Sequence, residues 1–347
     1  MKKVKKRLLI SGFLVVVLLG FNHVLSSTLT QDRSHRIKKQ AFTENTSDTL
    51  QICSFNNQFV GSFKNKKNEL LSQVLKKFDV VVVQELVAPP VDGAYPDGSA
   101  YFADPEAKGF VDAMLGKGFK YVLSTEDTGT GERIHSNGTS TEWWICFYKP
   151  GKIELAPDLP NGFLAEDRSK NPDFDRVPYA FSLRSKNRSL DFVLIPVHLR
   201  PGEKSGDSPR RAHELQSIAR WIENHSQKEK DFIILGDMNI YNKDELVAVT
   251  PVNFKSLNFE CKNTTTLQPN EIKGKPYDHI MINRTFTWNE VDHNLGFKVI
   301  NLIQACKPLW DENTPYPGEP YVHDEFRQHF SDHNPVYFQM IGTKDDD

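Results

Sequence analysis

The chain has 347 residues, 25% of them charged and 38% hydrophobic, which excludes both a polytopic membrane protein and a disordered polyelectrolyte. Its four cysteines are too few for a disulfide scaffold, and no CxxC pair points to structural zinc. The formal net charge of −2 hides an asymmetry: Lys2, Lys3, Lys5, Lys6 and Arg7 open the chain, and without them 38 basic side chains face 45 acidic ones, a balance of −7. So acidic a bulk does not gather polyanions through overall charge.

In chain order, the basic cluster is followed by fourteen uncharged residues, Leu8 to Phe21. A helix of that length rises about 21 Å, short of a ~30 Å hydrocarbon layer. Residues 1–26 are therefore expected to be an export signal peptide or, with Val24 and Leu25 prolonging the apolar run, a signal anchor. The expected location is periplasmic, secreted or membrane-anchored, with the membrane touched only through that segment. Residues 27–48 are polar without apolar periodicity and read as a tether. No linker interrupts residues 49–341, which are expected to form one domain and a monomer, ahead of a short acidic tail at 342–347.

Within the domain, Thr49 to Phe55 reads as a strand, and Leu70, Leu71, Val74, Leu75 and Phe78 recur at helical spacing. Val80 to Val83 is a β-branched run with both faces apolar, as in a central buried strand. Ala107 to Leu115 reads as a helix. Strands are expected at Tyr121–Ser124, Glu142–Tyr148, Pro178–Leu183 and Phe192–Val197. A helix from Arg210 to Asn224 follows, with Leu215, Ile218, Ala219 and Ile222 on one face. Further strands are expected at Phe232–Leu235, His279–Ile282, Phe297–Ile300 and Val336–Met340. Strands dominate and helices punctuate them, which predicts sheets packed face to face with helices outside.

Chemistry-bearing residues collect at the strand ends. Asn56 closes the first strand, Glu85 closes Val80–Val83, His198 closes Phe192–Val197, and Asp237 and Asn239 close Phe232–Leu235. Asp278 and the segment Ser331-Asp332-His333 open two others. Asp and Asn are common turn residues at any one such position, but six such positions at sheet edges point to one site.

This set, Ser54-Phe55-Asn56, Gln84-Glu85, His198, Gly236-Asp237-Met238-Asn239, Tyr277-Asp278 and Ser331-Asp332-His333, resembles the endonuclease/exonuclease/phosphatase superfamily. Within it the likeness is to deoxyribonuclease I-like exported or membrane-associated bacterial nucleases, and it spans Gln51 to Met340 with the motifs in family order. The resemblance implies an α/β fold, a four-layer α/β sandwich of two mixed sheets with outer helices. It implies a metal held by Glu85 with Asn56 beside it and Asp332 nearby, the hard oxygen shell suiting Mg²⁺, Mn²⁺ or Ca²⁺. His198 and His333 would flank the scissile phosphate, paired with Glu142 and Asp278, which fix the tautomers and raise the basicity of the free nitrogens. Asp237 would position the attacking water and Asn239 would hydrogen-bond the phosphoryl oxygen. Arg176 and Thr266 would contact phosphate.

The implied reaction is metal-dependent phosphodiester hydrolysis, with nucleic acid as substrate, DNA before RNA. Arg210 and Arg211, at a basic helix start after His198, are expected to hold flanking phosphates. Against a duplex-reading nuclease, Val87 stands where deoxyribonuclease I places a groove-entering arginine. Two alternatives remain: a phospholipid phosphodiesterase of the sphingomyelinase kind, which would want an exposed aromatic wedge where Trp143-Trp144, in a strand beside Glu142, read rather as partly core, and a catalytically inactive binding module. Cys53 and Cys146 read as buried thiols, and Cys261 and Cys306 are expected to pair.

Overall fold

The structure, a computed structural model, describes residues 49–131, 133–136, 140–266 and 274–342. The expected signal segment, tether and nearly all of the acidic tail lie outside the described residues. No helix among the described residues is long and apolar enough to cross a membrane.

Two mixed sheets carry the fold. The first runs β14 (Lys298–Val299), β15 (Val336–Ile341), β1 (Thr49–Val60), β2 (Val80–Leu86), β6 (Trp143–Tyr148), β5 (Lys120–Leu123). The second runs β12 (Phe254–Ser256), β13 (Asp278–Asn283), β11 (Phe232–Asp237), β10 (Asp191–His198), β9 (Tyr179–Ser185), β7 (Ile153–Leu155), with β8 (Gly162–Phe163) also on β9. A small hairpin of β3 (Gly93–Ala94) and β4 (Ala100–Tyr101) stands apart. Each large sheet has one parallel pair near its centre, β1 with β2 and β10 with β11, and antiparallel neighbours around it.

Alternation along the central strands sorts the core into three apolar layers. Leu50, Ile52, Val80, Val82, Trp144 and Cys146 meet Phe192, Leu194, Ile233 and Leu235 between the sheets. The residues between them, Cys53, Phe55, Val81, Val83, Ile145 and Phe147, face the opposite way, onto α1 (Asn68–Leu75) and α2 (Pro105–Gly116). Val193, Ile195, Val197 and Ile234 face α3 (Asp207–His225) and α4 (Lys243–Val249) on the far side. Strands apolar on both faces are what a sheet covered on both sides demands, and the four-layer architecture expected from the sequence follows. The short α5 (Leu302–Cys306) and α6 (His323–His329) complete the layer outside the first sheet.

Residues 88–105 carry the β3–β4 hairpin, which packs Tyr95 and Tyr101 against Trp143, ring centres 6.0 and 4.9 Å apart. Trp143 and Trp144 are 1% and 0% exposed, core residues as their strand position suggests and no bilayer wedge. One expectation changes: the Cys261–Cys306 bridge is absent, all four cysteines being free. Cys306 is buried in the layer outside the first sheet and Cys261 packs against the layer outside the second, so the two lie across the sandwich from each other.

At one end of the first sheet Thr49 pairs with Ile341, and at the other Ser54 pairs with Val336. The ends of the folded chain thus sit side by side, away from the rim that carries Asn56 and His333.

Candidate active site

Strand direction explains why some polar residues close strands and others open them. The parallel-running β1, β2, β10 and β11 end at one rim and deliver Asn56, Glu85, His198 and Asp237 from their carboxyl ends. Their antiparallel neighbours reach the same rim with their amino ends: Leu86 pairs with Trp143, next to Glu142, and Asp237 pairs with Asp278. His198 and Asp237 are themselves register partners.

The backbone is bent to aim these groups. Pairing of β1 with β2 slips between Asn56 and Val60, and that of β2 with β6 between Val83 and Leu86; such bulges re-aim side chains. Glu85 has φ +61°, a conformation costly for a side-chain-bearing residue. Its N–H donates to Glu142 Oε2 at 2.6 Å, and its Oε2 accepts the Phe59 N–H at 3.1 Å. Gly236 has φ +141°, and a Cβ there would lie 2.1 Å from the Val197 carbonyl oxygen. Only glycine lets β11 pass β10 this closely.

Two histidine–carboxylate pairs face each other. His198 Nδ1 lies 2.9 Å from Glu142 Oε1, and His333 Nδ1 lies 2.8 Å from Asp278 Oδ2. With Nδ1–H donating to the carboxylate, Nε2 of each ring is left for chemistry, and both Nε2 atoms converge on Asp237 Oδ2, at 3.7 and 3.5 Å. Burial and Arg176 oppose the charged form of His198, but Glu142 and Asp237 outweigh them and raise its pKa. For His333 burial is likewise outweighed, by Asp278 and Asp237, and the rise is larger. Asp237 is pushed up by burial against the pull of both histidines. Burial also favours the neutral form of Glu142, yet His198 and Arg176 hold its carboxyl below the ordinary range.

Ligand atoms of Glu85, His198 and Asp237 lie within 4.8 Å of one another, all three residues buried. Burial raises the Glu85 pKa, with Asp332 and Glu142 adding to it against His198 and Asn56. The histidines and Asn56 offset that burial only in part, and a divalent cation beside Glu85 and Asp237 would offset the rest, so the residues fit such an ion. Asp332 belongs to the same side: Oδ2 accepts from Gln58 Nε2 at 2.6 Å, and its buried Oδ1 has no hydrogen-bond partner.

Asn56 lies beside the expected metal residue Glu85 and braces it. Its Nδ2 donates to Glu85 Oε1 at 2.8 Å and Asp237 Oδ2 at 3.1 Å, while its carbonyl oxygen takes the Gln58 N–H at 3.0 Å. Asn239 accepts its place beside Asp237, its N–H on Asp237 Oδ1 at 3.0 Å and its Nδ2 on the Leu199 carbonyl at 3.0 Å. Arg176 reaches the site, with Nε 3.3 Å from Glu142 Oε1 and Nη1 donating to the His198 carbonyl at 3.2 Å.

Three phosphate contacts expected from the sequence are engaged elsewhere. Arg211 is 1% exposed; its Nε donates to Glu245 Oε1 at 2.9 Å and its Nη1 to the carbonyls of Arg200 and Gly202. Arg210 bonds Asp175 Oδ1 at 3.0 Å and the Pro172 carbonyl at 2.6 Å, with Glu214 Oε1 at 3.4 Å. Thr266 donates through Oγ1 to the Ser331 carbonyl at 2.8 Å and through N–H to the Asp332 carbonyl at 2.7 Å. It holds the Ser331–His333 loop in place.

Lys66 and Gln58 escaped the sequence reading. Burial lowers Lys66 to about 7 against the pull of Asp332 and Glu85; its ammonium donates to the Phe330 carbonyl and to Asn57 Oδ1. The run Asn56-Asn57-Gln58, polar where a buried strand should still be apolar, was the available signal.

No protein-family profile and no curated protein matches the sequence. Solved structures do match the fold. An endonuclease/exonuclease/phosphatase family protein from Bacteroides thetaiotaomicron superposes with a TM-score of 0.53 at 14% identity, covering 86% of this chain and 99% of its own. A mannosyl-6-phosphatase from the same organism gives 0.52 at 15% identity, covering 84% and 99%. D. rerio TDP2 complexed with single strand DNA product gives 0.50 at 13% identity, covering 84% and 99%. The chain has the α/β fold of the endonuclease/exonuclease/phosphatase superfamily.

Proposed function

We propose that this chain is an exported, divalent-metal-dependent phosphodiesterase that hydrolyses nucleic acid with little sequence preference, DNA before RNA. One observation carries the reading: two imidazoles, each anchored through Nδ1 on a carboxylate, direct their Nε2 atoms at one oxygen of Asp237. A phosphodiester seated between them has a base for the attacking water on one side and an acid for the leaving oxygen on the other. Asp237 orients the water, Asn239 donates to a phosphoryl oxygen, and Arg176 adds positive charge beside Glu142. A divalent cation would be held by Glu85 and Asp237 beside His198, with Asp332 adding charge on the Glu85 side, and would neutralise the phosphate charge. The basic, apolar amino-terminal run supports export, and the structural neighbour with a single-strand DNA product supports nucleic acid.

A second reading, hydrolysis of a sugar phosphate monoester, is favoured by the mannosyl-6-phosphatase neighbour and by the engagement of Arg210 and Arg211 in internal ion pairs. The test is release of product from plasmid, single-stranded DNA, RNA and mannose 6-phosphate by purified protein with Mg²⁺, Mn²⁺ or Ca²⁺, and after chelation. Metal-dependent cleavage of polynucleotide is expected. Turnover of the monoester alone replaces the nuclease reading with the second one. Sphingomyelin vesicles are expected to stay intact, since no tryptophan wedge is exposed at Trp143 or Trp144.

A further inference from the structure

Tyr277 stands immediately before Asp278, the carboxylate under His333, and has no part in the chemistry above. Its ring lies 6.0 Å from the His333 imidazole, tilted by 36°, and is partly exposed. Tyr241, in the loop after β11, meets it edge-on with ring centres 5.0 Å apart. The Tyr241 hydroxyl accepts the Gly202 N–H at 3.2 Å, and the Tyr241 N–H donates to Glu245 Oε2 at 2.9 Å. The Arg211 guanidinium lies 5.4 Å and the Lys275 ammonium 5.0 Å from the centre of the Tyr241 ring. The Tyr277 carbonyl accepts the Met238 N–H at 2.8 Å.

Tyr241 is therefore clamped by cations and hydrogen bonds, and Tyr277 is held by its edge-on contact with the Tyr241 ring and by its backbone bond to Met238. Phosphoryl chemistry at His333 and Asp237 requires no aromatic ring, yet a rigid one stands beside it with part of its surface open. A ring fixed in advance offers a π face at little further entropic cost, and every nucleobase has a face that stacks on it.

We infer that Tyr277, braced by Tyr241, is a stacking platform for the nucleobase next to the scissile phosphate, making it the residue that selects nucleotidyl esters over phosphodiesters that lack a base. This rests on the nucleic-acid reading given above. Because stacking on an aromatic ring is tolerant of sequence, the platform fits low sequence preference. A base reaches it only when drawn out of its own stack, so single strands are the better substrates.

The experiment compares kcat/KM of the full chain on single-stranded oligothymidylate and on an oligomer of the same length with base-free tetrahydrofuran residues, for wild type, Tyr277→Phe and Tyr277→Leu. Wild type is expected to favour the base-bearing oligomer about tenfold or more, mainly through KM. Tyr277→Phe keeps that ratio and Tyr277→Leu brings it close to one. An unchanged ratio in Tyr277→Leu, or an equal loss on both oligomers, overturns the platform and leaves Tyr277 as packing for His333. If wild type cleaves neither oligomer but hydrolyses bis-p-nitrophenyl phosphate, the nucleic-acid reading itself falls, and the nucleobase platform with it.

Discussion

The rim of the sheets and the start of α3 are both dense in charge, and they use it in opposite ways. At the helix start the guanidinium groups are matched inside the fold: Arg200 and Arg210 share Asp175, and Arg211 is buried against Glu245. At the rim the carboxylates Glu85, Glu142, Asp237 and Asp278 crowd around two histidines whose Nε2 atoms point at the same oxygen. Charge matched within the protein builds structure; charge left facing a shared space awaits a ligand. The difference is visible only once partners are known, because both regions look equally ionic along the chain.

The comparison can be broken most sharply at the rim. His198→Ala and His333→Ala are each expected to lower kcat by ~10²–10⁴-fold, and the double variant by less than the product if the rings act as one unit. Glu85→Ala is expected to abolish activity and weaken Mn²⁺ binding in calorimetry, with a thermal unfolding midpoint close to wild type. A large loss of stability there would assign Glu85 to structure instead.

At the helix start the effect is expected in stability. Arg211→Ala leaves Glu245 without its buried partner, a change that typically costs about 3–5 kcal/mol, read from urea unfolding. Activity per folded molecule and its salt dependence should hold. A stable Arg211→Ala variant with weakened DNA affinity would restore the phosphate-binding role.

A smaller effect concerns Glu214, next to Arg210. Burial and Asp175, against Arg210, push its pKa up to about 8, above the ordinary carboxylate value of ~4.3. The folded state then holds a proton that the unfolded state has released, so this group's stabilisation is full below that ordinary value and is lost as pH rises through about 8. Glu214→Gln is expected to flatten the fall of the unfolding midpoint across that window. An unchanged slope would show Glu214 ionised and paired with Arg210. The least effect belongs to Arg210→Ala, partly solvent-facing and sharing Asp175 with Arg200: no more than about 1 kcal/mol, with turnover unchanged.

The fold was legible because burial leaves a periodic trace. Val80–Val83 and Phe232–Leu235 are apolar on both faces, and in the structure they are covered on both. The Glu142–His198 and Asp278–His333 pairs were legible through family order and hold in space at 2.9 and 2.8 Å. The errors share a cause. Whether Arg211 is free or paired depends on Glu245, and whether Arg210 is free depends on Asp175; neither partner follows from spacing. Short elements such as β7, β8 and α4 escaped because a few residues carry too little periodicity to stand out.

The adjacency of Thr49 and Ile341 has a practical side. Both ends of the domain emerge next to each other, at the end of the first sheet remote from Asn56 and His333. A surface coupling, a fluorescent fusion or a short loop joining old termini for circular permutation can all be placed there. Each would leave the rim that carries the candidate site facing free solution, so the domain lends itself to immobilisation in either orientation of the chain.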